Sequence, residues 1–395
     1  MAALAAGVAA AQVVSETARL PEAGGTLACQ MEPIKPVLNF GFRFQAGYVF
    51  RVPLSLYEGR GHHWDVVFGV TPDGGQPVYF KDGQDLPVAR ADSLGEMRGS
   101  FLVGEGRYRV TWSLRDDLGR VCRKEWELEA RAARNEQVLM PRGTVADLSW
   151  RPVTGAPRTG YPQRITLVVN ASLPAGVQAN QSAANGSDSA SVAGGRWATL
   201  VSMVAAVLER LTPAAVRVVV IDLDQQREVW RQDGFTLDGM SRVFHAADGL
   251  AQWAVDYRVL QHPAGAWDLL ANVVNRETKA AEPADAVVFA GLPWRTPVKM
   301  PAGFPGAKES GPRFFYLQYR TVAPLVAGGA DLDQPGRRGR GAYRPEAPPA
   351  IPVATPVGQA DAIDQALRRV KGKTLAIYFP KDLGRAIQEI EQEGK

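Results

Sequence analysis

The hydrophobic period of this 395-residue chain changes once, and the change divides it into two parts of different architecture. Between about 38 and 132, short segments alternate apolar with polar residues and are separated by turn signals such as Pro72-Asp73-Gly74-Gly75 and Asp116-Asp117-Leu118-Gly119. A period of two puts alternate side chains on one face of a strand, and no amphipathic helical stretch interrupts the series. From about residue 161 onward, continuous apolar runs alternate with stretches of helical period, as a parallel sheet with crossover helices requires.

In the first part, strands are expected at 39–45, 48–57, 64–71, 77–80, 99–103, 106–114 and 120–130. Tyr108-Arg109-Val110-Thr111-Trp112-Ser113-Leu114 shows the pattern most clearly, with rings and aliphatics on one face. Seven such strands fit an all-β immunoglobulin-like sandwich over 38–132, preceded by an N-terminal extension at 12–37 and followed by a linker at 133–160 rich in Arg, Pro and Gly.

In the second part, 161–395, strands are expected at 165–169, 216–223, 228–232, 286–290, 313–319 and 374–378, and helices at 196–211, 250–260, 267–277, 361–370 and 382–391. That order predicts an α/β doubly wound domain of three layers. Two stretches without apolar period, 173–195 and 328–358, are expected to be flexible insertions.

The first strand of this domain ends in Asn170-Ala171-Ser172. This ending and the order of elements resemble a von Willebrand factor A (VWA) domain, in which Asp-x-Ser-x-Ser stands there and binds a metal ion together with a Thr and an Asp from two later loops. Here the first Asp is Asn170, the first Ser is kept as Ser172, and the second is Pro174. After the strand at 286–290, where the family has Thr-Asp-Gly, this chain reads Ala290-Gly291-Leu292-Pro293, and the region 235–249, with Thr236 and Ser241, offers no fixed frame in which to place the family's Thr. A hard cation such as Mg²⁺ wants anionic oxygens in octahedral geometry, so the resemblance implies a VWA-like (Rossmann-like) scaffold with a degenerate metal-ion-dependent adhesion motif, no metal and no cofactor.

Other chemistry has weaker support. His62 and His63 are strand neighbours pointing to opposite faces, and neither His245 nor His262 lies in a zinc-type spacing. Asp222 and Asp224 suit an ordinary turn after a strand better than a pair of acid and base. Nucleophile-elbow, phosphate-loop and dinucleotide signatures are missing. The basic run Gly336-Arg337-Arg338-Gly339-Arg340-Gly341 reads as a solvated loop, and a net charge of +4 gives nucleic acid no claim as the partner.

Residues 1–11, ending in Ala9-Ala10-Ala11, resemble the remnant of a secretory signal peptide. Export, to the periplasm or outside the cell, would allow Cys29 and Cys122 to form a disulfide. No apolar run reaches the roughly 18 residues that span a bilayer, so stable membrane insertion is not expected.

The expected function is that of an exported, bacterial-type, non-catalytic protein whose VWA-like domain binds a protein partner, or assembles, without a divalent ion. Its expected surface is the rim at the carboxyl ends of the strands: Asn170, Ser172, Asp222, Asp224, Leu292, Trp294 and Arg295. Trp294 beside Arg295 would be the anchor, unless Trp294 only caps the core. Two alternatives use the same rim: a hydrolase or transferase with Asp222 or Asp224 as general base, and a metal-dependent adhesion module with Ser172, Asp222 and water as atypical ligands.

Overall fold

The computed structural model describes residues 12–14, 25–57, 61–86, 94–148, 160–172, 188–240, 242–243, 257–308, 311–320 and 360–393. The expected signal remnant, the insertion at 328–358 and residues 173–187 of the other insertion lie outside them.

The N-terminal part is built from two antiparallel sheets. One has the order β1-β5-β4-β7-β8, from β1 (Gln12–Val14), β4 (His63–Pro72), β5 (Val78–Asp85), β7 (Gly106–Asp116) and β8 (Val121–Ala130). The other has the order β2-β3-β6-β9, from β2 (Gln30–Leu38), β3 (Phe44–Pro53), β6 (Leu94–Val103) and β9 (Val145–Ala146). Alternation decides what each strand buries: Phe44, Ala46, Tyr48, Phe50 and Val52 of β3 share one core with Val66, Phe68 and Val70 of β4 and with Trp112 of β7. The Phe50 ring lies 5.3 Å from Trp64 and 5.2 Å from Trp112, and each such buried ring contributes on the order of 1.5 to 3 kcal/mol. Gly99 faces Tyr48 across the β3–β6 pair, where any side chain would overlap the phenol. The Tyr108 hydroxyl donates back to the Gly104 carbonyl at 2.9 Å, and Cys29 and Cys122 form the expected disulfide.

Four segments differ from expectation. The 12–37 extension supplies β2 and the short β1, and the 133–160 linker supplies β9. Pro33, Lys35 and Pro36 hid β2, because they suit only a strand at a sheet edge, which is where it lies. Residues 39–43, expected to open a strand, are a turn: the Asn39 Oδ1 accepts the N–H groups of Gly41 and Arg43 at 2.9 and 3.2 Å. Residues 188–195, expected in a flexible insertion, have helical backbone.

The second part is a six-stranded mixed sheet in the order β12-β11-β10-β13-β14-β15. Its strands are β10 (Arg164–Asn170), β11 (Ala215–Asp222), β12 (Arg227–Asp233), β13 (Ala286–Gly291), β14 (Arg313–Tyr319) and β15 (Lys373–Ile377). All pairings are parallel except that of the edge strand β12. Helices α1 (Asp188–Leu211) and α5 (Pro380–Gln392) cover one face, packing on Leu167, Val169, Val218, Val220 and Val288. Helices α3 (Gly265–Thr278) and α4 (Ala362–Arg369) cover the other, packing on Val168, Val219, Ile221, Val287 and Phe289; a short α2 (Tyr257–Gln261) precedes α3. Burial on both faces is why these strands read as unbroken apolar runs. Counted within this part, the strand order is 3-2-1-4-5-6, which reverses between β10 and β13. Folds of this order hold their ligands at that reversal, beyond the carboxyl ends of the strands.

The turn at 39–43 joins the two parts. Phe42 has a left-handed backbone (φ 57°) and is only 1% exposed, because its ring enters the α1–α5 core of the second part. Arg43 makes a two-pronged ion pair with Glu209 of α1 at 2.8 and 2.9 Å, and Phe40 packs edge-on against Tyr319 at 5.4 Å. No helix among the described residues is long and apolar enough to cross a membrane.

Candidate functional site

The strand reversal places the ends of β10, β11 and β13 side by side, and with them most of the residues singled out in the sequence. Asn170, Ser172 and Asp222 are buried. Asn170 Oδ1 accepts the Ser172 N–H at 3.2 Å, while its Nδ2 is buried without an acceptor. Ser172 Oγ donates to Asp222 Oδ1 at 3.1 Å and accepts the N–H groups of Leu223 (2.6 Å) and Asp224 (3.2 Å). The same Asp222 oxygen accepts the N–H groups of Asp224 and Gln225 at 3.0 and 3.2 Å. Ser172 thus reaches from the first strand to fix the chain as it leaves the second.

A hydroxyl has one proton and two lone pairs, and here all three are engaged. The Ser172 oxygen has no lone pair to give a cation, and Asp222 Oδ1 already serves three donors. These two oxygens are committed to protein donors, which weakens them as ligands of a hard divalent ion. Among the described residues, no three His, Cys, Asp or Glu side chains converge in a way that could hold one.

Leu292 is buried, and its carbonyl accepts the Tyr316 hydroxyl at 3.0 Å. Trp294 is half-buried against the α3–α4 core; its indole N–H donates to Asp224 Oδ1 at 2.9 Å and its backbone N–H to Asp361 Oδ1 at 3.2 Å. Arg295 is exposed. Of the seven rim residues, four lie beneath the surface, Asp224 and Trp294 are half-covered, and Arg295 stands in solvent.

Sequence reasoning missed the second half of the rim. Asp361 caps α4 by accepting the Ile363 N–H at 3.0 Å, and its Oδ2 accepts from Gln318 Nε2 at 2.6 Å. Gln318 Oε1 in turn accepts from Arg320 Nε at 2.6 Å, and Arg320 Nη1 donates to the Tyr378 hydroxyl at 3.0 Å. A continuous polar chain therefore runs from Asp224 through Trp294, Asp361, Gln318 and Arg320 to Tyr378. Burial holds the Asp361 carboxyl above its ordinary range in spite of its donors, and pushes the Tyr316 phenol beside it well up. Only Asp361 left a trace in the sequence, as the N-cap type of residue opening a helical period.

The other candidates lie apart from this rim. His62 pairs with Asp117 at 2.9 Å and His63 with Asp85 at 2.6 Å, each through Nδ1 and to a different carboxylate. His262 lies 3.4 Å from Asp268, while His245 and the basic run at 336–341 fall outside the described residues. Near the opposite ends of the strands, Glu277 is fully buried and is held by Thr166, Arg217 and Arg231. An open cleft of about 520 Å³ beside it is lined by Arg217, Arg231, Asp233, Arg276 and Lys279 together with Asn275 and Ala280. The three arginines are engaged by Glu228, Asp233 and Glu277.

No protein-family model matches this chain, and no curated protein does. Solved structures are similar to parts of it. A structural-genomics target solved by X-ray methods has 9% identity and a TM-score of 0.19, covering 27% of this chain and 87% of its own. A Bordetella pertussis protein given the name ApaA has 12% identity and a TM-score of 0.19, covering 29% and 100%. A lipoprotein from Bacteroides thetaiotaomicron, solved by NMR, has 10% identity and a TM-score of 0.16, covering 30% and 92%. At these scores the likenesses support no statement about fold or function.

Proposed function

We propose that this is an exported two-module protein, an immunoglobulin-like sandwich joined to a VWA-like domain, whose rim binds a protein partner without a divalent ion and without catalysis. The sandwich reading is supported by β2-β3-β6 facing β5-β4-β7-β8 and by the Tyr108 hydroxyl bonded to Gly104, the corner found at the start of the sixth strand of such domains. The VWA-like reading is supported by the 3-2-1-4-5-6 order with an antiparallel edge and by Asn170-x-Ser172 at the end of the first strand. The Cys29–Cys122 disulfide suits an oxidising compartment.

The observation that carries the metal-free reading is the Ser172 hydroxyl, whose proton and lone pairs are all taken by protein groups. Asp222 and Asp224 are likewise tied to N–H donors, which disfavours either as a general base.

A thermal-shift series on the full chain, in EDTA and in millimolar Mg²⁺, Mn²⁺ or Ca²⁺, tests the metal-free part. Binding to the native state must raise its stability, so an unchanged midpoint is expected and a clear rise with any cation overturns it. For the interaction, the immobilised chain should recover a protein from extracytoplasmic extract that Arg295→Glu fails to recover at an unchanged melting temperature. A partner retained by that variant would place the interface elsewhere.

A further inference from the structure

We infer that Arg320, Tyr378, Phe379 and Lys381 form a docking strip for an acidic segment of the protein partner. The inference rests on the rim reading above and adds the chemistry of what binds there.

Two large rings stand in solvent at the end of β15: Tyr378 is 39% exposed and Phe379 50% exposed. They are adjacent in sequence and lead from β15 into the last helix, with Pro380 starting α5 immediately after them. Each has a cation beside it, Arg320 at 5.8 Å from the centre of the Tyr378 ring and Lys381 at 5.5 Å from that of Phe379. Exposed aromatics flanked by arginine are the composition that dominates interface energetics. Arg320 is also held in place through its bonds to Gln318 and Tyr378, and a fixed guanidinium loses less entropy when it binds.

The charges around the strip decide the sign of the partner. Asp222 and Asp361 are buried, Asp224 holds the Trp294 indole, and Asp382 accepts the N–H groups of Tyr378 and Phe379 at 3.2 and 3.0 Å. Among the described residues, Arg320 and Lys381 at the strip and Arg295 and Lys299 farther along this end of the sheet are exposed and positive, while the exposed acid Asp268, in the first turn of α3, lies toward the β12 edge and faces His262 at 3.4 Å. Such a surface draws carboxylates and repels a basic partner. An acidic segment bearing one large apolar side chain satisfies both the cations and the rings.

The test is a phage-displayed library of random dodecapeptides, panned against the full disulfide-bonded chain. Enriched peptides should carry several Asp or Glu residues around a large apolar one. A synthetic copy, titrated by fluorescence anisotropy, should lose affinity about tenfold or more with Arg320→Glu and with Lys381→Glu, and several-fold with Phe379→Ser. Melting midpoints of the three variants should match the parent; Arg320→Gln serves as the milder substitution where the charge reversal disturbs folding.

Failure to enrich any peptide, or enrichment of neutral or basic ones, overturns the inference. Displacement of the peptide by oligo-dT also overturns it, by making the strip a nucleic-acid contact. Non-acidic peptides that are lost with Arg295→Glu would sink the acidic-segment inference alone. Acidic peptides insensitive to every rim substitution would sink the rim reading with it.

Discussion

Ser172 is the side chain on which the rim turns. It accepts from two backbone N–H groups of the segment leaving β11 and donates to Asp222. Removing its oxygen leaves the buried Leu223 N–H without an acceptor, a loss of about 1 to 3 kcal/mol, while the Asp224 N–H keeps Asp222 Oδ1. Ser172→Ala should therefore lower the urea midpoint without changing the slope, and equal midpoints would show that water replaces the hydroxyl at no cost. Asp361 makes a prediction about pH. Its carboxyl titrates above the ordinary range because burial disfavours the charged form. Between the ordinary carboxyl value of about 4 and its raised value, the folded chain holds more protons than the unfolded one. This group's contribution to stability accordingly falls as pH rises through that window. Asp361→Asn keeps an acceptor for the Trp294 and Ile363 N–H groups and removes the titration. Urea midpoints across that range should fall less steeply for the variant than for the parent, and parallel curves would refute the assignment.

At the scale of elements, the turn at 39–43 is the point of greatest consequence. A ring at positive φ costs roughly 1 to 2 kcal/mol relative to an ordinary backbone, and Phe42 adopts it with its ring buried in the core of the second part. Phe42→Ala should cost about 3 to 5 kcal/mol. It should also separate the unfolding of the two parts, so that calorimetry shows two transitions where the parent shows one; a single, merely earlier transition would mean that Arg43–Glu209 suffices to couple them. The same turn shows where the sequence is legible and where it is not. Asn39-Phe40-Gly41-Phe42-Arg43-Phe44-Gln45 has the period of a strand, yet only Phe44 opens one, because Asn39 folds the backbone and the rings of Phe40 and Phe42 pack against the second part. Strand β14 was readable to the residue, because a seven-residue run rich in aromatics and preceded by Gly311-Pro312 has the length and composition of a strand buried on both faces. Asn170, Ser172 and Asp222 were readable as strand ends. Asp361 and Gln318 were not readable as a pair: they are 43 residues apart, and only the β14–α4 packing brings them to 2.6 Å.

For the whole molecule, the disulfide and the inserted turn act on the same cooperative unit from opposite sides. Cys29 and Cys122 are 93 residues apart, so their bond ties β8 to the chain just ahead of β2 and closes a loop that spans most of the sandwich. On the chain-entropy account, a loop of that size stabilises by about 4 to 5 kcal/mol, by restricting the unfolded chain. The second part has no disulfide among its described residues and depends on the α1–α5 and α3–α4 cores, one of which includes Phe42 from the sandwich. Reduction should therefore lower the melting temperature of the intact chain as one transition, since a loosened sandwich withdraws Phe42 from the other core. In Phe42→Ala the two effects should separate, with reductant shifting only the sandwich transition. Reduction that leaves the parent's midpoint unchanged would remove the thermodynamic reason for an oxidising compartment and, with it, this support for export. A shift confined to one of two transitions in the parent would show instead that the turn does not couple the two parts.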